Sequence, residues 1–183
     1  LCKDLDKKGA FQNIQAWLSQ LDPLKEFLDD LIRCIDDEGN IKENATPELK
    51  QAIRDTEAAR NKLEEKIRKL FSSTTIKEAL QDSYITERQE RMVIPIRAEF
   101  KSKVDGIVHD ISGTGQTLFI EPASIVPLNN QLKIARLKIA QEKARVLQSL
   151  AMQTNEHRES LQRNMENLAT LDLIYAKARL AKS

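Results

Sequence analysis

Aromatic residues are scarce in this 183-residue chain, at 4%, and glycine and proline number only five each. So few turn formers and so little aromatic bulk disfavour a loop-rich β-sandwich and fit long, uninterrupted helices. No run of about 18 apolar residues occurs, which excludes a membrane-spanning helix. Neither sign of charge is in excess: 29 Lys and Arg stand against 28 Asp and Glu, and a net charge of +1 exerts no overall pull toward nucleic acid or membrane. The two cysteines, Cys2 and Cys34, lack a metal-type spacing and fit free thiols of a cytoplasmic protein better than a disulfide. The opening LCKDLDKKGA has neither an initiator Met nor a signal peptide, so the chain is expected to be cut from something longer.

The helix breakers are unevenly placed. Six of the ten lie between Pro95 and Pro127, whereas neither Gly nor Pro occurs in Glu48–Ile94 (before Pro95) or in Leu128–Ser183. Two long helical tracts therefore flank one short segment rich in turns. The first tract starts at Thr46 as cap, with Pro47 and Glu48 suited to the first helical turn. Leu49, Thr56, Leu63 and Leu70 recur every seven residues, with Ala52, Ile53, Ala59 and Ile67 between them, over a helix Glu48–Phe71. So narrow a stripe points to a partner helix rather than a sheet. Thr75 and Glu78 form a capping-box pattern for a short helix reaching Gln81. In the second tract Leu132, Ile139 and Val146 form one row and Leu137, Ala140, Ala144, Leu147 and Ala151 a second, which predicts burial against two neighbours. A bend is expected in Gln153–Ser160, then a last helix with Leu161, Met165, Leu168, Leu171, Tyr175 and Ala178 on one face. Upstream, Phe11–Leu21 and Pro23–Ile35 read as amphipathic helices, the second capped by Asp22.

Between the tracts the period becomes two. Met92, Ile94, Ile96, Ala98 and Phe100 alternate with other residues, and Tyr84–Thr86, Val104–Ile111 and Gln116–Ile120 complete about four strands. Pro95 argues for an edge or bulge in its strand. The fold class is thus mainly α with a small antiparallel β element, long antiparallel helices accompanying a helical core bundle. The organisation reads as 1–46 (core, N-terminal part), 47–83 (first arm and short helix), 84–122 (β segment) and 123–183 (returning helix and core helix).

Candidate chemistry is sparse. Ser112–Thr117 is glycine-rich, but no Lys follows and a strand does, so a hairpin turn is preferred to a phosphate cradle. His109-Asp110 is taken as strand-end polarity, because the only other histidine is His157 and no further ligand lies at metal spacing. Asn129-Asn130 at a helix start suit capping or local hydrogen bonds. No nucleophile with a base and no Walker motif occurs, so no catalytic, cofactor-binding or metal residue is expected in this chain. Charge is locally uneven: residues 128–183 carry 10 basic and 5 acidic groups. Lys133, Arg136, Lys143 and Arg145 are candidate contacts to nucleic-acid phosphates, while pairing with Asp55, Glu57, Glu64 and Glu65 of the first tract is the preferred reading.

The stretches RCIDDEGNIKENATPELKQAIR (Arg33–Arg54), ITERQERMVIPIRAEFKSKVDGIVHDISGTGQTLFIEP (Ile85–Pro122), LNNQL (Leu128–Leu132) and LDLIYAKARLA (Leu171–Ala181) resemble the type-2 branch of the bacterial MutS family, which lacks the N-terminal mismatch-reading domain. GIVHDISGTGQTLFIEP is the most specific of them, and Thr114 stands where Ser is expected. The resemblance implies a core, lever and clamp-like segment: lever helices that link an ATPase domain to parts embracing DNA, with the LDLIYAKARLA-like segment leading into that ATPase. It implies a parent that uses ATP and Mg²⁺, in many members carries an Smr-type endonuclease domain, and forms a homodimer through the ATPase. It implies as ligand either branched DNA, in suppressing recombination, or collided ribosomes, and makes mismatch repair the poorer expectation. The competing class is a structural coiled-coil module for dimerisation or scaffolding; an autonomous nuclease lacks the residues it needs.

Overall fold

The computed structural model describes residues 18–181. Cys2 and the expected helix Phe11–Leu21 lie outside them, apart from the last residues of that helix, where Leu21 N–H bonds Leu18 C=O in a turn. The molecule is mainly helical with one four-stranded antiparallel sheet. Its elements are α1 (Lys25–Cys34), α2 (Pro47–Phe71), α3 (Thr74–Ala79), β1 (Thr86–Arg88), β2 (Arg91–Arg97), β3 (Gly106–Ile111), β4 (Thr117–Pro122), α4 (Val126–Glu156) and α5 (Arg158–Leu180). They fall into two compact units, one of Glu43–Ala144 and one of the residues up to Lys42 together with those from Arg145 onward.

In the first unit, α2 begins as expected: Thr46 Oγ1 accepts the Leu49 N–H at 3.1 Å and Pro47 opens the helix. Leu49, Ala52, Leu63 and Ile67 are buried along the expected stripe, but its second half does not seek a helix. Leu63 and Ile67 pack with Met92, Ile94, Ile96 and Ile120 of the sheet, joined by Ile76, Ile125 and Leu132. A stripe's width measures how much of a helix is covered, not whether a helix or a sheet covers it. The capping box at Thr75 does not form; the cap is Ser73, two residues earlier, with no side-chain bond, and α3 runs Thr74–Ala79.

The sheet order is β1-β2-β4-β3. β1 lies two residues later than Tyr84–Thr86, because a two-residue turn, Gln89-Glu90 at φ 50° and 62°, joins Arg88 directly to Arg91. Both turn residues are left-handed, the type I′ geometry that suits strand twist but usually takes Asn or Gly. β2 was expected to alternate, yet Val93 and Pro95 are as buried as Met92, Ile94 and Ile96, so both its faces are covered. It stops at Arg97; Ala98 and Phe100 belong to a 3₁₀ turn, Ala98–Lys103. Pro95 lies beyond the reach of β1, which begins at Thr86 opposite Val93; there Leu80 bridges Ile96 and the Gln81 N–H bonds the Pro95 C=O at 2.9 Å, a pairing that asks for no N–H from the proline.

α4 runs unbroken for 31 residues. It buries one row, Leu132, Ala135, Val146 and Leu150, while the second expected row is exposed at Leu137, Ala140, Ala144, Leu147 and Ala151. The expected bend falls at His157, φ −92° and ψ 9°. On α5 the half-buried row is Leu161, Asn164, Asn167 and Leu171; Met165, Leu168, Tyr175 and Ala178 are exposed. In the same unit Asn164 reads the Asp22 backbone from both sides, its Oδ1 accepting the N–H at 2.9 Å and its Nδ2 donating to the C=O at 2.7 Å. Asp22 accepts the Leu24 N–H at 3.2 Å, and α1 starts at Lys25 rather than Pro23 because Leu24 is left-handed at φ 43°.

Gly106 opens β3 where a Cβ would stand 2.3 Å from the Glu121 carbonyl oxygen and 2.9 Å from Pro122 Cα, both backbone atoms. G106A should therefore cost about 1–3 kcal/mol, as overpacking does. G113A, with nothing within 4 Å, should change stability by less than about 0.5 kcal/mol. Urea unfolding of the two variants checks the contrast.

Candidate functional site

The ladder between β2 and β4 pairs Ile94 with Ile120, so its continuation sets Met92 opposite Pro122. Proline has no N–H to offer there. The Asn129 side chain, from the first turns of α4, takes the missing strand's place. Its Oδ1 accepts the Met92 N–H at 3.0 Å and its Nδ2 donates to the Met92 C=O at 3.0 Å. Nδ2 also donates to Glu121 Oε1 at 2.8 Å. Asn129 was expected to make local bonds; Met92 is 37 residues away in sequence and Glu121 eight.

Glu121 and Asn129 are each only 1% exposed. A carboxylate so enclosed needs a donor on every side. Arg91 Nη1 reaches Oε1 at 3.0 Å and His109 Nε2 reaches Oε2 at 2.7 Å. His109 is delivered by an irregularity in β3, where the register slips between Val108 and Asp110. The acid is thereby saturated by donors from β2, β3 and α4, which suits it to hold elements together rather than to bind or to transfer a proton. Among the described residues no group of three or more His, Cys, Asp or Glu could hold a metal ion.

The β1–β2 hairpin is fastened from two sides. Arg136 of α4 donates Nη1 to Glu87 Oε1 at 2.7 Å and Nη2 to Glu87 Oε2 at 2.9 Å, a bidentate fork. Lys133 stands 3.5 Å from Glu90. On the other side Arg88 pairs with Asp110 at 3.0 Å and lies 4.3 Å over the Phe119 ring, and Gln89 donates to the His109 carbonyl at 3.1 Å. The Arg136 guanidinium holds the Glu87 carboxyl below its ordinary value of 4.5, and Glu87 raises Arg136 in return. Beside Glu87 a groove of about 590 Å³ opens between α2 and β1, lined by Arg60, Glu64, Arg68, Phe71 and Ile85.

Of the candidate phosphate contacts, Lys133 and Arg136 are brought together, and the acids that hold them are not those of α2. Glu64 and Glu65 pair within their own helix, with Arg60 at 3.0 Å and Lys69 at 2.6 Å, and Asp55 accepts from Gln51 at 2.8 Å. Lys143 and Arg145 sit about two turns or more further along α4, exposed, roughly 10 and 14 Å from Arg136 along the axis. Ser112–Thr117 is the hairpin turn expected, closed by Ser112 Oγ accepting the Thr117 N–H at 3.0 Å. Glu121, Arg91, Glu87 and Glu90 were not singled out by sequence. The one signal was Glu121 itself, a charge inside the apolar run Leu118–Pro122.

No protein-family profile matches the chain. It is 40% identical over 179 residues to an endonuclease MutS2 of Geobacillus sp. (strain WCH70), covering 96% of this chain and 22% of that protein. It is 38% identical over 170 residues to endonuclease MutS2 of Bacillus velezensis, covering 93% of this chain and 22% of the relative. With endonuclease MutS2 of Alkaliphilus oremlandii it shares 35% over 179 residues, 98% of this chain and 23% of that protein. The chain spans about a fifth of the length of the curated relatives it matches.

N129A should strand the Met92 N–H and C=O and strip Glu121 of a donor, destabilising the fold by about 2–4 kcal/mol, read by urea unfolding. Glu87 should titrate below 4.5 by carboxyl NMR. Because a lowered carboxyl pKa contributes stability that is lost only as pH falls through it, the hairpin tie should persist from neutral pH down past 4.5 and open below that. In R136Q, Glu87 should return to its ordinary range.

Proposed function

Because the chain belongs to the type-2 branch of the MutS family, homologous to it along nearly its whole length, we propose that it is the non-catalytic core-and-lever segment of a longer MutS-type ATPase. In this reading the longer protein grips nucleic acid, either branched DNA or the RNA of collided ribosomes. The state of an ATP- and Mg²⁺-binding domain opens or closes that grip, and the longer protein acts as a homodimer and carries the endonuclease activity after which its relatives are named. This segment contributes stiffness and anchoring rather than reactive groups.

The observation that carries the reading is α4. It is unbroken for 31 residues, and its first turns are bolted to the sheet by the buried Asn129. A continuous hydrogen-bonded helix resists bending, so a displacement at one end is delivered at the other. A structural dimerisation module is the second reading. It draws on Ile134, Leu137 and Leu147, which α4 leaves exposed, and it expects a stable dimer of this segment with no nucleic-acid affinity.

Leu137 is 53% exposed, so L137P breaks the helix without emptying the core, at a cost of about 3 kcal/mol to α4. In the longer protein, nucleotide should change the affinity for branched DNA or for ribosomes, whichever is the ligand. L137P should reduce that coupling factor to about 1, while L137A keeps it. Coupling unchanged in L137P would overturn the lever reading.

A further inference from the structure

We infer that Arg136 and Arg60 form a phosphate-binding site that the protein keeps filled with its own Glu87 carboxylate, and that a nucleic-acid phosphodiester displaces this internal anion. The inference rests on the proposed nucleic-acid reading only for the source of the phosphate.

The site has the geometry of an anion receptor. The Arg136 fork holds two oxygens of one group, at 2.7 and 2.9 Å, and the same fork spans two non-bridging oxygens of a phosphodiester. Arg60, from α2, is near enough for its charge to act on the same carboxylate, and both it and Glu87 line the open groove. Arg68 lines that groove as well, and Phe71 and Ile85 give it an apolar wall against which a sugar or base could lie. Its volume of about 590 Å³ falls in the range of small-ligand clefts. Glu64, also in the lining, is already paired with Arg60 at 3.0 Å.

The internal anion is placed to leave. Glu87 belongs to a strand of three residues at the edge of the sheet. The turn after it puts two non-glycine residues, Gln89 and Glu90, in the left-handed region, where side chains are strained. The ties opposing that strain are partly exposed: Arg136 and Glu87 keep 32% and 43% of their side-chain surface, and Lys133 and Glu90 more. Exposed pairs of this kind hold weakly and are screened by salt. A polyanion offers Arg136 and Lys133 adjacent phosphates at once, whereas the hairpin offers one carboxylate to each.

The test measures binding of the full chain to a fluorescein-labelled oligonucleotide, single-stranded and duplex, in DNA and in RNA, across a salt series. E87Q removes the internal anion and should bind about three- to tenfold tighter, with a salt slope steeper by about one phosphate. R136Q in the E87Q background should erase the gain. R136K keeps the charge without the fork and should erase most of it. Thermal melting confirms that each variant is folded. If the wild type binds and E87Q is no tighter, the masked-site inference is overturned and the nucleic-acid reading stands. If no form binds any oligonucleotide, nucleic acid is not the source of the phosphate, and pyrophosphate titrated into E87Q decides the site alone. Shifts of the Arg136 and Arg60 side-chain NMR signals sustain it, and unmoved signals overturn it.

Discussion

A carboxylate with 1% of its surface exposed dictates the arrangement around it, because each oxygen must find donors within the protein. Glu121 finds them on three elements: Arg91 on β2, His109 on β3 and Asn129 on α4. Losing any one donor leaves a buried charge short, which is far costlier than losing an exposed pair. Strand order, the irregularity that turns His109 inward and the docking of α4 are therefore conditions on one another. Asn129 tightens them further, since the amide that serves Glu121 also completes the backbone of Met92, where Pro122 could not.

Once Asn129 is fixed, the helix fixes the rest. Residues at i, i+4 and i+7 share one face of an α-helix, so Asn129, Lys133 and Arg136 project to the same side, toward the β1–β2 hairpin. The two cations meet Glu90 and Glu87 there for that reason. The apolar row that follows the other phase, through Leu137 and Leu147, is turned away from the sheet and stays exposed. A single buried polar contact thus decides which charges of α4 are covered and which apolar residues are not.

Much of this was legible in the sequence, where local rules act. The α2 start at Thr46-Pro47, the stripe from Leu49 to Leu70, a break within Gln153–Ser160 and the Ser112–Gly115 turn depend on neighbours in the chain, and the sequence shows them. The errors share a different cause. That Leu63 and Ile67 face a sheet, that Val93 and Pro95 are covered and that Leu137 is not are facts about which surface lies opposite, and periodicity carries no record of it. Charge pairing failed as a guide for the same reason. Asp55, Glu64 and Glu65 of α2 bond along their own helix, and Lys133 and Arg136 take carboxylates of the hairpin, 43 and 49 residues away in sequence. Glu121 was visible as a charge in an apolar run, but its significance depended on Pro122 failing to pair.

The same constraint bears on where a transmitted motion would be absorbed. Rotating α4 by one residue about its axis would carry Asn129 about 100° away from Met92 and Glu121, exposing three buried polar partners at once. The end of α4 at the sheet therefore resists rotation far more strongly than any exposed ion pair does. Compliance has to come from elsewhere on the path. Two places offer it: the interruption at His157, where φ and ψ leave helical values, and the hairpin, whose strained turn is held by half-exposed ions. A rigid anchor with soft points at a helix break and at a charged edge is the arrangement the proposed coupling role calls for.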